Sequence, residues 1–132
     1  DFSQYFANFV FEVKMTINQG DCGGMELRDD PSTSKGYSFF VCSDGTWQFD
    51  RYTGLSASNA TVLISGNNSG IVSGQNTIAV VASGSKFTLY LNHTQLDSVS
   101  DSTYSQGDIG LIAYDSTNTT KVEYSDAAVW TL

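Results

Sequence analysis

Proline, positive charge and helical periodicity are what this sequence has least of, and each shortage excludes something. With one proline in 132 residues, turns must be built largely from its 12 glycines and from Asn, Asp and Ser. No apolar run approaches the ~20 residues that a membrane-spanning helix requires, so the domain is not expected to insert into a membrane. The chain starts at Asp1 without a basic segment followed by an apolar one, so any export signal is expected to have been removed ahead of it. Six lysines and arginines stand against 14 acidic residues, giving a net charge of −8. The cations, Lys14, Arg28, Lys35, Arg51, Lys86 and Lys121, are scattered. Such a surface repels phosphate backbones, which argues against nucleic acid and anionic membranes as partners. Solubility is the ordinary reading of the acidity, and cation binding the other.

What is present is strand. Forty per cent of residues are apolar and 13% aromatic, enough to rule out disorder and to fill the core of a single domain spanning residues 1–132. Phe9, Phe11, Val13, Met15 and Ile17 alternate with Val10, Glu12, Lys14 and Thr16, the period of two expected of a half-buried strand. Phe87, Leu89 and Leu91 do the same against Thr88, Tyr90 and Asn92. Further strands are expected at 23–28, 37–42, 47–52, 62–64, 77–82, 109–114 and 121–124, with a last one over 128–132. Asn92-His93-Thr94 is expected to turn the chain, and Gly107 and Gly110 mark a kink or a close backbone approach. Short strands at this spacing, joined by antiparallel turn chemistry, predict an all-β sandwich of two sheets.

The two cysteines can be placed by register. A hairpin centred near Ser32 pairs residues whose numbers sum to 64, so Met25 meets Phe39, Leu27 meets Tyr37 and Cys22 meets Cys42. A disulfide between such positions is geometrically feasible and implies an oxidising, extracytoplasmic compartment; two buried free thiols are the alternative. The same register puts Met25, Leu27, Tyr37, Phe39 and Val41 on the core face and Glu26, Arg28, Ser38 and Phe40 on the other. Beyond Asp44-Gly45 two outcomes are open. A two-residue turn sends Trp47, Phe49 and Arg51 to the Arg28 face, and a three-residue turn reverses them.

The segments NFVFEVKMTI, GDCGGMELRDD, GYSFFVCSDGTWQF, NTIAVVASGSKFTLYLN, YSQGDIGLIAYD and VEYSDAAVW resemble, over nearly the whole chain, a bacterial concanavalin A-like lectin/glucanase jelly roll. Within that superfamily they are most similar to non-catalytic modules related to laminin-G-like and 3-keto-disaccharide-hydrolase-like domains. The resemblance implies a jelly-roll sandwich displayed outside the cell, in some relatives as the outer region of a membrane-bound serine/threonine kinase, with a sensor or sugar-binding role. Such a fold hosts enzymes, lectins and adhesion modules alike.

The residues weigh against the enzyme. Laminarinase-type relatives carry Glu-x-Asp-x-x-Glu on one strand, because retaining hydrolysis needs two carboxyl groups about 5 Å apart. Here Glu12, Glu26 and Glu123 lie on three expected strands, and only Glu26 has a partner in prospect, Asp50 or Arg51 on an adjacent strand. His93 lies in a turn without the spacing of a triad or a metal site. No catalytic residue is assigned.

A sugar-binding face needs aromatic rings for C–H faces and polar groups for hydroxyls. Glu26, Arg28, Phe40, Trp47, Arg51, Tyr52 and Tyr114 supply that chemistry and are the expected ligand-binding set, with core packing the competing role for Trp47. Arg28→Ala is accordingly expected to abolish binding at little cost in stability. Leu27→Ala, on the core face, should cost about 2–5 kcal/mol. No cofactor is required, but calcium is a candidate because related jelly-roll modules often hold one and Asp101, Asp108, Asp115 and Asp126 lie in or near turns. Four Asn-x-Ser/Thr sites begin at Asn59, Asn67, Asn92 and Asn118 and matter only in a glycosylating host. The reading is an extracytoplasmic, carbohydrate-binding or sensor module, with a glycoside hydrolase or lyase and a structural spacer as alternatives.

Overall fold

The structure is a computed structural model, and it describes residues 6–54, 59–71, 74–114 and 119–132. Ten strands form in chain order: β1 Phe9–Gln19, β2 Cys22–Asp30, β3 Lys35–Cys42, β4 Thr46–Tyr52, β5 Ala60–Asn67, β6 Gln75–Ser83, β7 Lys86–Leu91, β8 Thr94–Ser100, β9 Asp108–Tyr114 and β10 Lys121–Thr131. They make two antiparallel five-stranded sheets, ordered β10-β1-β6-β7-β8 and β5-β4-β3-β2-β9. This is the expected two-sheet jelly-roll sandwich.

The alternation read from the sequence places the core between the sheets. Phe9, Phe11, Val13 and Met15 of β1 are sealed against Met25, Leu27, Tyr37, Phe39, Val41 and Phe49 of the facing sheet, with Ile78, Val80, Phe87 and Leu89 beside them. Burying a side chain of this size stabilises the fold by about 1.5–3 kcal/mol each, which is why a one-residue slip of register is excluded.

The β2–β3 hairpin has the expected register, with Cys22 opposite Cys42, Met25 opposite Phe39 and Leu27 opposite Tyr37. Cys22 and Cys42 are joined by a disulfide, their Cα atoms 4.0 Å apart. The next turn has three residues, 43–45: Val41 faces Trp47, the Gly45 amide donates to the Cys42 carbonyl, and Gly45 takes the positive φ of 91° that such a turn demands. Trp47 and Phe49 therefore point inward with Val41 and Phe39, while Gln48 and Asp50 point outward.

Three expectations are corrected. Arg28 does not share the outer face with Glu26. A bulge displaces the pairing of β2 with both neighbours, between Glu26 and Asp29 on the β9 side and between Leu27 and Asp30 on the β3 side. Arg28 sits in it at φ 47°, so Leu27 and Arg28 both turn inward and Asp29 turns out. A close approach is the reason for glycine at Gly107, where a Cβ would lie 2.4 Å from the carbonyl carbon of Arg28. Second, the polar stretch after the Asn92-His93 turn forms β8, an edge strand against β7, although a bulge between Leu89 and Tyr90 breaks its alternation. Third, the two expected strands at the end of the chain are one, β10, which continues past Asp126 at φ 53°.

Candidate functional site

The outer face of the β5-β4-β3-β2-β9 sheet is hollow, and its side chains come in registered rows. Glu26 of β2 stands opposite Ser38 of β3, and Ser38 stands opposite Asp50 of β4, which stands opposite Val62 of β5. One row along, Phe40 lies between Gln48 on β4 and Gly24 on β2, and Gly24 faces Ile112 of β9. Because Gly24 has no side chain, the ring of Phe40 reaches across β2 and stacks on Tyr114, centroids 5.2 Å apart and planes 24° from parallel. The disulfide lies beside this pair.

These rows enclose a cavity of about 580 Å³ whose walls include Glu26, Asp29, Ser38, Asp50, Tyr52 and Val62. A second hollow of about 400 Å³, bounded by Asp21, the disulfide, Asp44 and Thr46, shares Phe40, Gln48 and Tyr114 with the first. Both volumes fall in the ~300–1,000 Å³ range typical of ligand sites. The stacked aromatic pair thus stands between two compartments of one groove.

The electrostatics are one-sided. Burial pushes the Glu26 carboxyl above its ordinary value, and the neighbouring Asp29 charge adds to the shift. Burial also raises Asp50, against a hydrogen bond from Gln48 that lowers it. Asp50 is only 6% exposed; its Oδ2 accepts from Gln48 Nε2 at 2.8 Å, while its Oδ1 is enclosed without a hydrogen-bond partner. Asp29 is raised by burial too, despite the hydrogen bond donated by Tyr52 Oη to its Oδ1 at 2.9 Å. Every lysine, arginine and histidine of the chain is described, and none lines either compartment.

Of the residues singled out by sequence, Glu26, Phe40, Tyr52 and Tyr114 are brought together on this face. Three are not. Arg28 is 2% exposed, inside the sandwich: its Nε and Nη2 donate to the carbonyl of Ala7 at 3.2 and 2.6 Å, its Nη1 donates to that of Tyr104 at 3.0 Å, and its guanidinium lies 4.9 Å over the ring of Phe87. Trp47 belongs to the core, as the three-residue turn requires. Arg51 turns to the same side and pairs with Asp101 at 2.5 Å. The outward polar groups missing from the expected set, Gln48 and Asp50, follow from that turn length, and Asp29 from the bulge.

The three candidate calcium aspartates among the described residues are not gathered. Asp101 is held by Tyr37 Oη at 2.6 Å and by Arg51, Asp126 pairs with Lys14 at 2.9 Å, and Asp108 stands opposite Asp29; Asp115 lies outside the described residues. Among the described residues no three His, Cys, Asp or Glu side chains are close enough together to hold a metal ion. His93 is an exposed turn residue 3.4 Å from Glu12, on the other sheet. The Asn92 side chain is engaged with the Thr77 amide and with Asn76; Asn118 lies outside the described residues.

No family model and no curated protein matches this sequence. Solved structures do match in shape. The chain superposes over 96% of its length on 77% of carbohydrate binding module CBM66 from Bacillus subtilis, with a TM-score of 0.82 and 21% identity. It superposes over 95% of its length on 84% of the Caenorhabditis elegans galectin LEC-6, at TM-score 0.69 and 15% identity. A Bacillus licheniformis β-glucanase is matched over 68% of that chain and 98% of this one, at TM-score 0.63 and 13% identity. At these identities the likeness is one of fold: the chain has the jelly-roll architecture shared by lectins and glucanases.

Proposed function

We propose that this protein is a non-catalytic carbohydrate-binding module and that the groove on the β5-β4-β3-β2-β9 sheet is its ligand site. One observation carries the reading: the stacked Phe40 and Tyr114 rings stand in a groove whose other walls include carboxylates, an amide and hydroxyls. Rings of this kind cover the C–H face of a pyranose, and Glu26, Gln48, Asp50 and Tyr52 offer acceptors and donors to its hydroxyls. The fold neighbours add support, since one is described as a carbohydrate binding module and another as a galectin. The disulfide suits an extracytoplasmic setting, where the module serves as the ligand-sensing outer part of a larger, membrane-tethered protein. Binding is expected without calcium.

Titration against a polysaccharide panel, with and without a chelator, tests this. Saturable binding that survives chelation and is lost in Tyr114→Ala supports it, and absence of binding across the panel overturns it. A second reading, glycoside hydrolysis, draws on Glu26 and Asp50. They flank Ser38 across two strand spacings, about 9.5 Å of backbone, near the ~6.5–9.5 Å separation of carboxyl groups in inverting enzymes. Release of reducing ends that is lost in both Glu26→Gln and Asp50→Asn would favour it.

A further inference from the structure

The walls of the groove carry acid and no base. Glu26, Asp29 and Asp50 face the larger compartment, and Asp21 and Asp44 the smaller. The two cations nearest in sequence are spent elsewhere, Arg28 on backbone carbonyls inside the sandwich and Arg51 on Asp101. Asp50, at the floor of the larger compartment, is buried with one carboxylate oxygen unpartnered. A buried carboxylate without a counter-charge is costly, and a ligand that brings a cation offsets that cost in a way a neutral hydroxyl does not. The net charge of −8 adds a long-range field of the same sign. Anionic glycans meet repulsion from both.

We infer that the groove selects glycans bearing protonated amines: a chain of two or more 2-amino-2-deoxy sugar units, whose rings lie along the Phe40–Tyr114 pair and whose ammonium groups pair with Glu26 and Asp50. The inference rests on the carbohydrate-binding reading and specifies its ligand. Aromatic faces also attract an ammonium group directly, so the rings and the carboxylates favour the same ligand.

The test is calorimetric titration of the whole protein, at low salt and near neutral pH so that the carboxyl groups of the groove are ionised, with a fully deacetylated glucosamine trimer, its N-acetylated counterpart and a glucose trimer of the same linkage. The deacetylated trimer should bind at least about tenfold more tightly than the other two, and added salt should narrow the gap. In Asp50→Asn and in Glu26→Gln, each checked for folding by thermal melt, the deacetylated trimer should lose more affinity than the glucose trimer does, so that the gap shrinks. Equal affinity for the three trimers, or a preference undiminished in both variants, overturns the inference and leaves the carbohydrate-binding reading standing. Binding to none of the trimers, nor to any member of the polysaccharide panel, overturns both.

Discussion

Phe40 and Tyr114 stack face to face across a strand on which neither resides, because Gly24 of β2 leaves the gap between them open. Phe40 is nearly buried while Tyr114 remains 44% exposed, so one ring forms the base of the pair and the other its solvent-facing surface. Tyr114→Ala should therefore weaken glycan binding by about tenfold or more and cost only about 0.5–1.5 kcal/mol of stability, the worth of the aromatic pair. Calorimetric titration and thermal melts on the same variant separate the two effects.

Arg28 makes the opposite prediction to the one its sequence position suggests. Truncation to Ala strands the carbonyls of Ala7 and Tyr104 and empties the space over Phe87. Charged hydrogen bonds are worth about 1.5–3 kcal/mol each, so Arg28→Ala should lose at least about 3 kcal/mol, comparable to Leu27→Ala. Urea unfolding measures both, and an Arg28→Ala protein as stable as the parent would contradict this placement.

Reduction of the Cys22–Cys42 bond, which closes a sequence separation of 20 residues, should lower stability by roughly 3 kcal/mol on chain-entropy grounds. Thiol titration of the unfolded protein should find no reactive thiol before reduction and two after. Since the bond borders the smaller compartment, reduction should also weaken binding of longer oligosaccharides more than of monosaccharides.

The pH dependence has two opposed parts. Burial works against ionisation of Asp101, but hydrogen bonds from Tyr37, Thr103 and Arg51 outweigh it and hold the group down to about 2. Its stabilisation is present above the ordinary Asp value and is lost as pH falls toward about 2. Glu26, Asp29 and Asp50 are raised by burial, so their ionised forms oppose folding, and that opposition is relieved as pH falls through their raised values. The melting temperature should therefore rise on mild acidification from neutrality and fall in stronger acid. Asp50→Asn should raise it at neutral pH and reduce the rise; thermal melts across the acid range check the sign.

The fold was legible because alternation along β1 and β7 is nearly unbroken and because the hairpin about Ser32 is symmetric, which aligned Cys22 with Cys42 by arithmetic alone. Placement of the site was legible only up to the first irregularity. A bulge adds a residue without altering composition, so nothing in Leu-Arg-Asp-Asp announced that Arg28 would turn inward and Asp29 outward. The β4 residues depended on one residue of turn length, which Asp44-Gly45 permits in two forms; the longer one put Trp47 in the core and Gln48 and Asp50 on the groove. The exposed residues of edge strand β8 carry no apolar period, so no alternation marks it as a strand.

The inward turn of Arg28 has a mechanical side. The residue belongs to a strand of one sheet, yet it grips the backbone just before β1 of the other sheet and the segment that leads from β8 into β9. A single guanidinium thus acts as a rivet through three separate stretches of chain, fastening one end of the sandwich from inside. With closure secured there and by the hydrophobic interior, the outward residues of β2, β3 and β4 carry little of the burden of holding the sheets together. The groove can change its lining while the walls behind it stay where they are.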